Sequence, residues 1–133
     1  MIRALALVLA AAGVLVPTGA ASQRTGFAFG RTGGNIRPFT VVITTEGRVQ
    51  VSGPAEAGRS HLTRTQLGNL NRIAATGSFG ALPGATNCTG ALPDVATTFI
   101  RVGPRTVRVH GDCVRDYRIL WKALAHAVRL TYV

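Results

Sequence analysis

The chain has 133 residues, with 15 Lys and Arg against five Asp and Glu, for a formal net charge of +10. That length supports one domain with a modest core and excludes two. The excess of arginine points toward anionic partners, although a GC-rich coding bias would supply part of it.

Residues 1–21, MIRALALVLAAAGVLVPTGAA, have the layout of a signal peptide: a basic start at Arg3, an apolar stretch from Ala4 to Val16, and small residues at the end. The apolar stretch is shorter than the ~20 residues a membrane span needs. An uncut anchor is the alternative. Residues 22–133 then form a single α+β domain, expected to be secreted or to lie in the periplasm or at the cell-envelope exterior, and to be a monomer.

FAFGR, from Phe27, reads as an edge strand. GRTGGNIRPF follows as a bend that carries Phe39 into the core and leaves Arg31 and Arg37 projecting, with Gly33 and Gly34 between them. PFTVVITTEGRVQVSG alternates as a hairpin turning at Glu46-Gly47. HLTRTQLGNLNRIAATG is a helix with Thr63 as N-cap, Gln66 completing a capping box, Leu62 and Leu67 as a hydrophobic staple, and Gly77 as its stop.

SFGALPGATNCTGALP reads as a loop with Phe79 and Leu82 turned inward. DVATTFIRVGPRTVRVHG is a second hairpin turning at Gly103-Pro104, and DCVRDYRILWKALAHAVRL a second helix with Tyr117, Leu120, Trp121, Leu124 and Val128 on its apolar side. The order is ββαββα. It predicts a mostly antiparallel four- or five-stranded sheet with both helices on one face. RVQVSG and TVRVHG occupy equivalent places in the two halves.

Cys88 and Cys113 are the two cysteines, and in an exported chain they suggest one disulfide closing a loop of about 25 residues. Two reduced thiols or a metal pair are the alternatives; no CxxC or HxxxH spacing supports a metal. Asn87-Cys88-Thr89 matches a glycosylation sequon, which matters only on a eukaryotic secretory route.

No serine lies in a GxSxG elbow, and RTGGN lacks the strand–GxxxxGK–helix context of a phosphate loop. The sequence thus predicts no nucleotide, no cofactor, no metal and no catalytic set. His110 with Asp94 or Asp112 would be the components of a small hydrolase, if they converged. Asp94 otherwise reads as a structural carboxylate in a buried pair with an arginine. Arg115, Arg118, Lys122 and Arg129 fall on one side of the second helix. Together with Arg31, Gly33, Gly34 and Arg37 they are the candidate binding residues, for an unknown protein or an anionic envelope component.

The succession RTGG, PFTVVITTEGRVQVSG, LTRTQLGNL, SFGALP, Asp94 and TTFIRV resembles a group of small exported bacterial domains of unassigned function, over about residues 27–125. A second similarity is to emfourin-type protein inhibitors of thermolysin-like metalloproteases. Arg31, Gly33, Gly34, Phe79, Leu82, Pro83 and Asp94 match in order. The cysteines, the basic charge and the Asn-Ile-Arg-Pro continuation depart from that pattern. The resemblance implies the scaffold of such an inhibitor, with protease inhibition as its activity.

Overall fold

The computed structural model describes residues 25–132. The expected signal peptide, residues 1–21, lies outside them. The strands are β1 (Thr25–Thr32), β2 (Phe39–Thr44), β3 (Val49–Ser52), β4 (Ala55–Ala57), β5 (Ala85–Asn87), β6 (Thr97–Val102), β7 (Arg105–His110) and β8 (Leu130–Tyr132), and the helices are α1 (Arg64–Thr76) and α2 (Arg115–Val128). Six strands form one sheet in the order β3-β2-β1-β6-β7-β5, and β4 pairs with β8 in a separate ribbon. Every pairing is antiparallel except β5 with β7.

The α+β class, the two helices and the mostly antiparallel sheet agree with the sequence reading, but the strand count and order do not. FAFGR is not an edge: β1 lies between β2 and β6 and bonds to both. Its alternation explains the position. Phe27 and Phe29 point into the core, while Ala28 and Gly30 face the other side and are buried there as well. The supposed loop before β6 contains a 3-10 turn, Phe79–Ala81, and then β5, which adds to the sheet's far edge.

One sheet face carries the core. Phe27, Phe29, Val41, Ile43, Ile100, Val107 and Val109 pack against Leu70 and Ala74 of α1 and Leu120, Leu124 and Val128 of α2. Removing such side chains from water at roughly 25 cal/mol per Å2 is the main favourable term. The opposite face, with Thr40, Gln50, Arg101 and Arg108, is covered by no helix among the described residues. Among the described residues no helix is long and apolar enough to cross a membrane.

Helix α1 begins as its sequence predicts. The Thr63 hydroxyl accepts from the Gln66 amide at 3.2 Å, and the Gln66 side chain accepts from the Thr63 amide at 2.8 Å. It ends at Gly77, but not because Gly77 is left-handed: its φ is −79°, and Ser78 takes the left-handed turn at φ 50°. Gly77 is small for another reason. A Cβ there would lie 3.1 Å from the Asp116 Cβ, where the end of α1 meets the start of α2.

Gly68, in mid-helix, has open space where a Cβ would stand. Gly68→Ala is therefore expected to stabilise the fold by about 0.5–1 kcal/mol, read as a higher urea midpoint. A lower midpoint would mean that this stretch of α1 is not the free surface described.

Candidate interaction site

The polar and exposed features gather at the end of the sheet where β1 stops and β6 begins. Two loops leave the sheet there, residues 33–38 and 91–96. The Asn35 amide donates to the Asp94 carbonyl at 3.3 Å, and the Thr32 hydroxyl to the Thr97 carbonyl at 3.4 Å. Gly34 makes the meeting possible: it has φ +70°, and a Cβ there would lie 2.7 Å from the Asp94 carbonyl oxygen and 2.9 Å from the Ala96 nitrogen. Gly33, at φ +69°, has nothing within 4 Å of where its Cβ would be and only turns the chain.

The two flanking arginines have different fates. Arg37 is exposed. Arg31, expected to project, lies instead along the Tyr132 ring, its guanidinium carbon 3.9 Å from the centroid and 5.7 Å from that of Phe39. Phe39 and Tyr132 stack at 5.2 Å. This cation–aromatic stack ties β1, β2 and the C-terminal strand β8 together.

Asp94 is corrected too. It is exposed and has no ion pair among the described residues; its main-chain carbonyl, not its carboxylate, makes the contact. A carboxylate in solvent needs no cationic partner, which is why the expected buried pair does not form.

The second loop is fastened from two sides. Cys88 and Cys113 form the disulfide, Cα–Cα 5.7 Å, joining the end of β5 to the chain just before α2. His110 on β7 reaches Leu92: Nε2 lies 3.1 Å from the Leu92 carbonyl oxygen, so Nε2 donates, and Nδ1 lies 3.4 Å from the Thr97 hydroxyl, which can donate to it. Both ring nitrogens of His110 are thereby engaged, and neither Asp94 nor Asp112 is a partner. Asp112 instead pairs with Arg118 at 3.3 Å. Among the described residues no three His, Cys, Asp or Glu gather into a metal-binding group.

Sequence reasoning passed over the apolar side chains of these loops. Among the described residues five large apolar side chains are exposed, and three of them are Ile36 (37%), Leu92 (63%) and Val95 (43%), on the two joined loops. Their signal was present but mute: an apolar residue in a Gly- and Pro-rich loop has no periodicity to say which way it points.

Comparison with known proteins finds no matching family model, no matching curated protein and no matching solved structure. What the end of the sheet can do has to be read from its own side chains.

On the helix side of the same end, α2 and β6–β7 enclose a cleft of about 230 Å3. Its walls are Thr98, Val109, Val114, Tyr117 and Trp121, and Arg118, Lys122 and Asp112 stand around it. Trp121 is held from behind by Phe29, ring centroids 5.1 Å apart and perpendicular. The Tyr117 and Thr98 hydroxyls lie 2.8 Å apart, and Thr98 also donates to the Val109 carbonyl at 3.4 Å, which leaves Tyr117 as donor to Thr98. Burial pushes the Tyr117 hydroxyl up to about 12, partly opposed by its hydrogen bond with Thr98, so it keeps its proton at physiological pH.

Of Arg115, Arg118, Lys122 and Arg129, two thus border the cleft. Arg115 is exposed on the first turn, and Arg129 ends the helix in a left-handed conformation at φ 53°, roughly 10 Å beyond Lys122 along the axis. Arg31 is nearer than its sequence distance suggests, since it is the cross-strand partner of Thr98. Arg105 on β7 is a tie: its guanidinium donates to the Leu82 carbonyl and holds the Phe79–Pro83 segment onto β7.

Proposed function

We propose that this chain is a non-enzymatic binding module that grips a protein partner with the loop end of its sheet. The observation that carries the reading is that Ile36, Leu92 and Val95, three of the five exposed large apolar side chains among the described residues, lie on two hydrogen-bonded loops. Arg37 beside Ile36 and the basic side of α2 favour a partner with acidic groups around an apolar patch. The disulfide fits an exported setting, with the module acting at the bacterial envelope or outside it. The emfourin resemblance gives the finer reading, inhibition of a thermolysin-like protease. The residues of that resemblance, Gly33, Gly34 and Asp94, shape the loop pair.

A second reading is favoured by a separate observation. None of the six strands of the large sheet contains an acidic residue, and its face opposite α1 and α2 presents Arg101 and Arg108. That face suits an anionic envelope polymer or lipid surface.

The test is capture of partners by the oxidised domain from its own culture supernatant and envelope fraction, washed at low and high salt, in three forms: wild type, Ile36→Ser/Leu92→Ser/Val95→Ser, and Arg101→Gln/Arg108→Gln. One protein held at high salt by the wild type and the arginine variant, but lost by the loop variant, is expected. Retention only at low salt, lost with Arg101 and Arg108, would replace this reading with the polymer reading. A protein held equally by all three forms would remove the loops from the site.

A further inference from the structure

We propose that the cleft between α2 and β6–β7 is a separate binding site for a small planar monoanion, an aromatic carboxylate of about one ring. The inference does not depend on the loop end binding a protein. Apart from Thr98 the walls are apolar or aromatic, and Trp121 is backed by Phe29. The floor is closed to further donation: the Tyr117 proton goes to Thr98, and the Thr98 proton to the Val109 carbonyl. Polar recognition therefore falls to the rim.

The rim carries two cations and one carboxylate. Arg118 is drawn toward Asp112 at 3.3 Å, whereas Lys122 has no ion pair among the described residues. A ligand with an apolar body and one negative end satisfies both parts, its body against Trp121 and Val109 and its charge at Lys122, with Arg118 available when it leaves Asp112. The size limits the body. At about 230 Å3 the cleft is smaller than the ~300–1,000 Å3 of pockets that hold drug-sized ligands, which restricts it to about one ring.

Trp121 is the chain's one tryptophan, so its fluorescence reports the cleft directly. The experiment titrates the oxidised protein with benzoate, with benzamide as the uncharged analogue and with acetate as the charge without the ring. Benzoate should give a saturable change. Benzamide and acetate should bind about tenfold more weakly or worse, each lacking one half of the recognition.

Lys122→Gln should weaken benzoate by a similar factor. Asp112→Asn should tighten it severalfold by releasing Arg118 and removing a repelling charge, and Arg101→Gln, on the sheet face opposite α1 and α2, should change nothing. Three results would each overturn the proposal: no saturation with benzoate, equal binding of benzamide, or a Lys122→Gln protein that binds as the wild type does. The variants sit on solvent-facing side chains, and thermal unfolding checks that each is folded.

Discussion

Gly30→Ala is expected to destabilise the domain by about 3 kcal/mol or more, a large share of the ~5–15 kcal/mol that holds a typical domain together. Gly30 sits on the middle strand, opposite Thr40 on one side and Phe99 on the other. A Cβ there would fall far inside van der Waals contact of the Phe39 carbonyl oxygen and 3.0 Å from the Phe99 ring. The ring can swing away, but the carbonyl cannot. Phe39 is buried, stacked on Tyr132, and covered by Arg31, so moving its backbone disturbs the contact that fastens the C-terminal strand.

Gly33→Ala is the control. It meets no atom and bears only the cost of a left-handed alanine, about 1–2 kcal/mol. Urea denaturation of the two variants beside wild type separates the cases. A Gly30→Ala protein within about 1 kcal/mol of wild type would mean that β1 and β2 can part at this point without loss.

The difference between these glycines shows where the sequence was readable and where it was not. The start of α1 was legible because a capping box is written within four residues and satisfied within four residues. The second hairpin was legible from alternation and a Gly-Pro turn, for the same local reason. Position in a sheet is another matter. FAFGR alternates as any strand does, and only its pairing with residues about 70 further on makes it central. In retrospect the small Ala28 and Gly30 on its outer face were the clue, because a strand crowded from both sides has little room there.

β5 escaped notice because three residues in a Gly- and Pro-rich stretch carry no period, and their parallel partner, β7, is a distant one. The candidate site divides the same way. Arg118 and Lys122 were visible as a helical stripe. The stacking of Arg31 on Tyr132, from opposite ends of the described chain, has no local trace.

The disulfide carries the other large effect, and it connects stability to the proposed function. Cys88→Ala/Cys113→Ala is expected to lower stability by roughly 3 kcal/mol, since the bond closes a loop across a sequence separation of 25 and restricts the unfolded chain. Cys88 is also part of the core, and its Sγ accepts from the Cys113 amide at 3.1 Å, so some native packing is lost as well.

The position of the bond matters more for binding than its energy does. It anchors the segment that runs on through Ala91, whose amide donates to the Cys88 carbonyl at 3.1 Å, to Leu92 and Val95. Without it, the His110–Leu92 hydrogen bond and the Asn35–Asp94 contact have to hold the loop alone. A partner would then have to order the loop as it binds, at roughly 0.5–1.5 kcal/mol for each side chain immobilised.

Affinity of the double variant for the captured partner, measured where circular dichroism shows the protein still folded, should therefore fall at least about tenfold, chiefly through faster dissociation. If affinity is unchanged while stability drops, the bond acts only on the unfolded chain, and the loop pair is preorganised by its hydrogen bonds and by Gly34. If affinity falls with the fold intact, the disulfide is part of the binding apparatus, because it keeps Leu92 and Val95 presented beside Ile36.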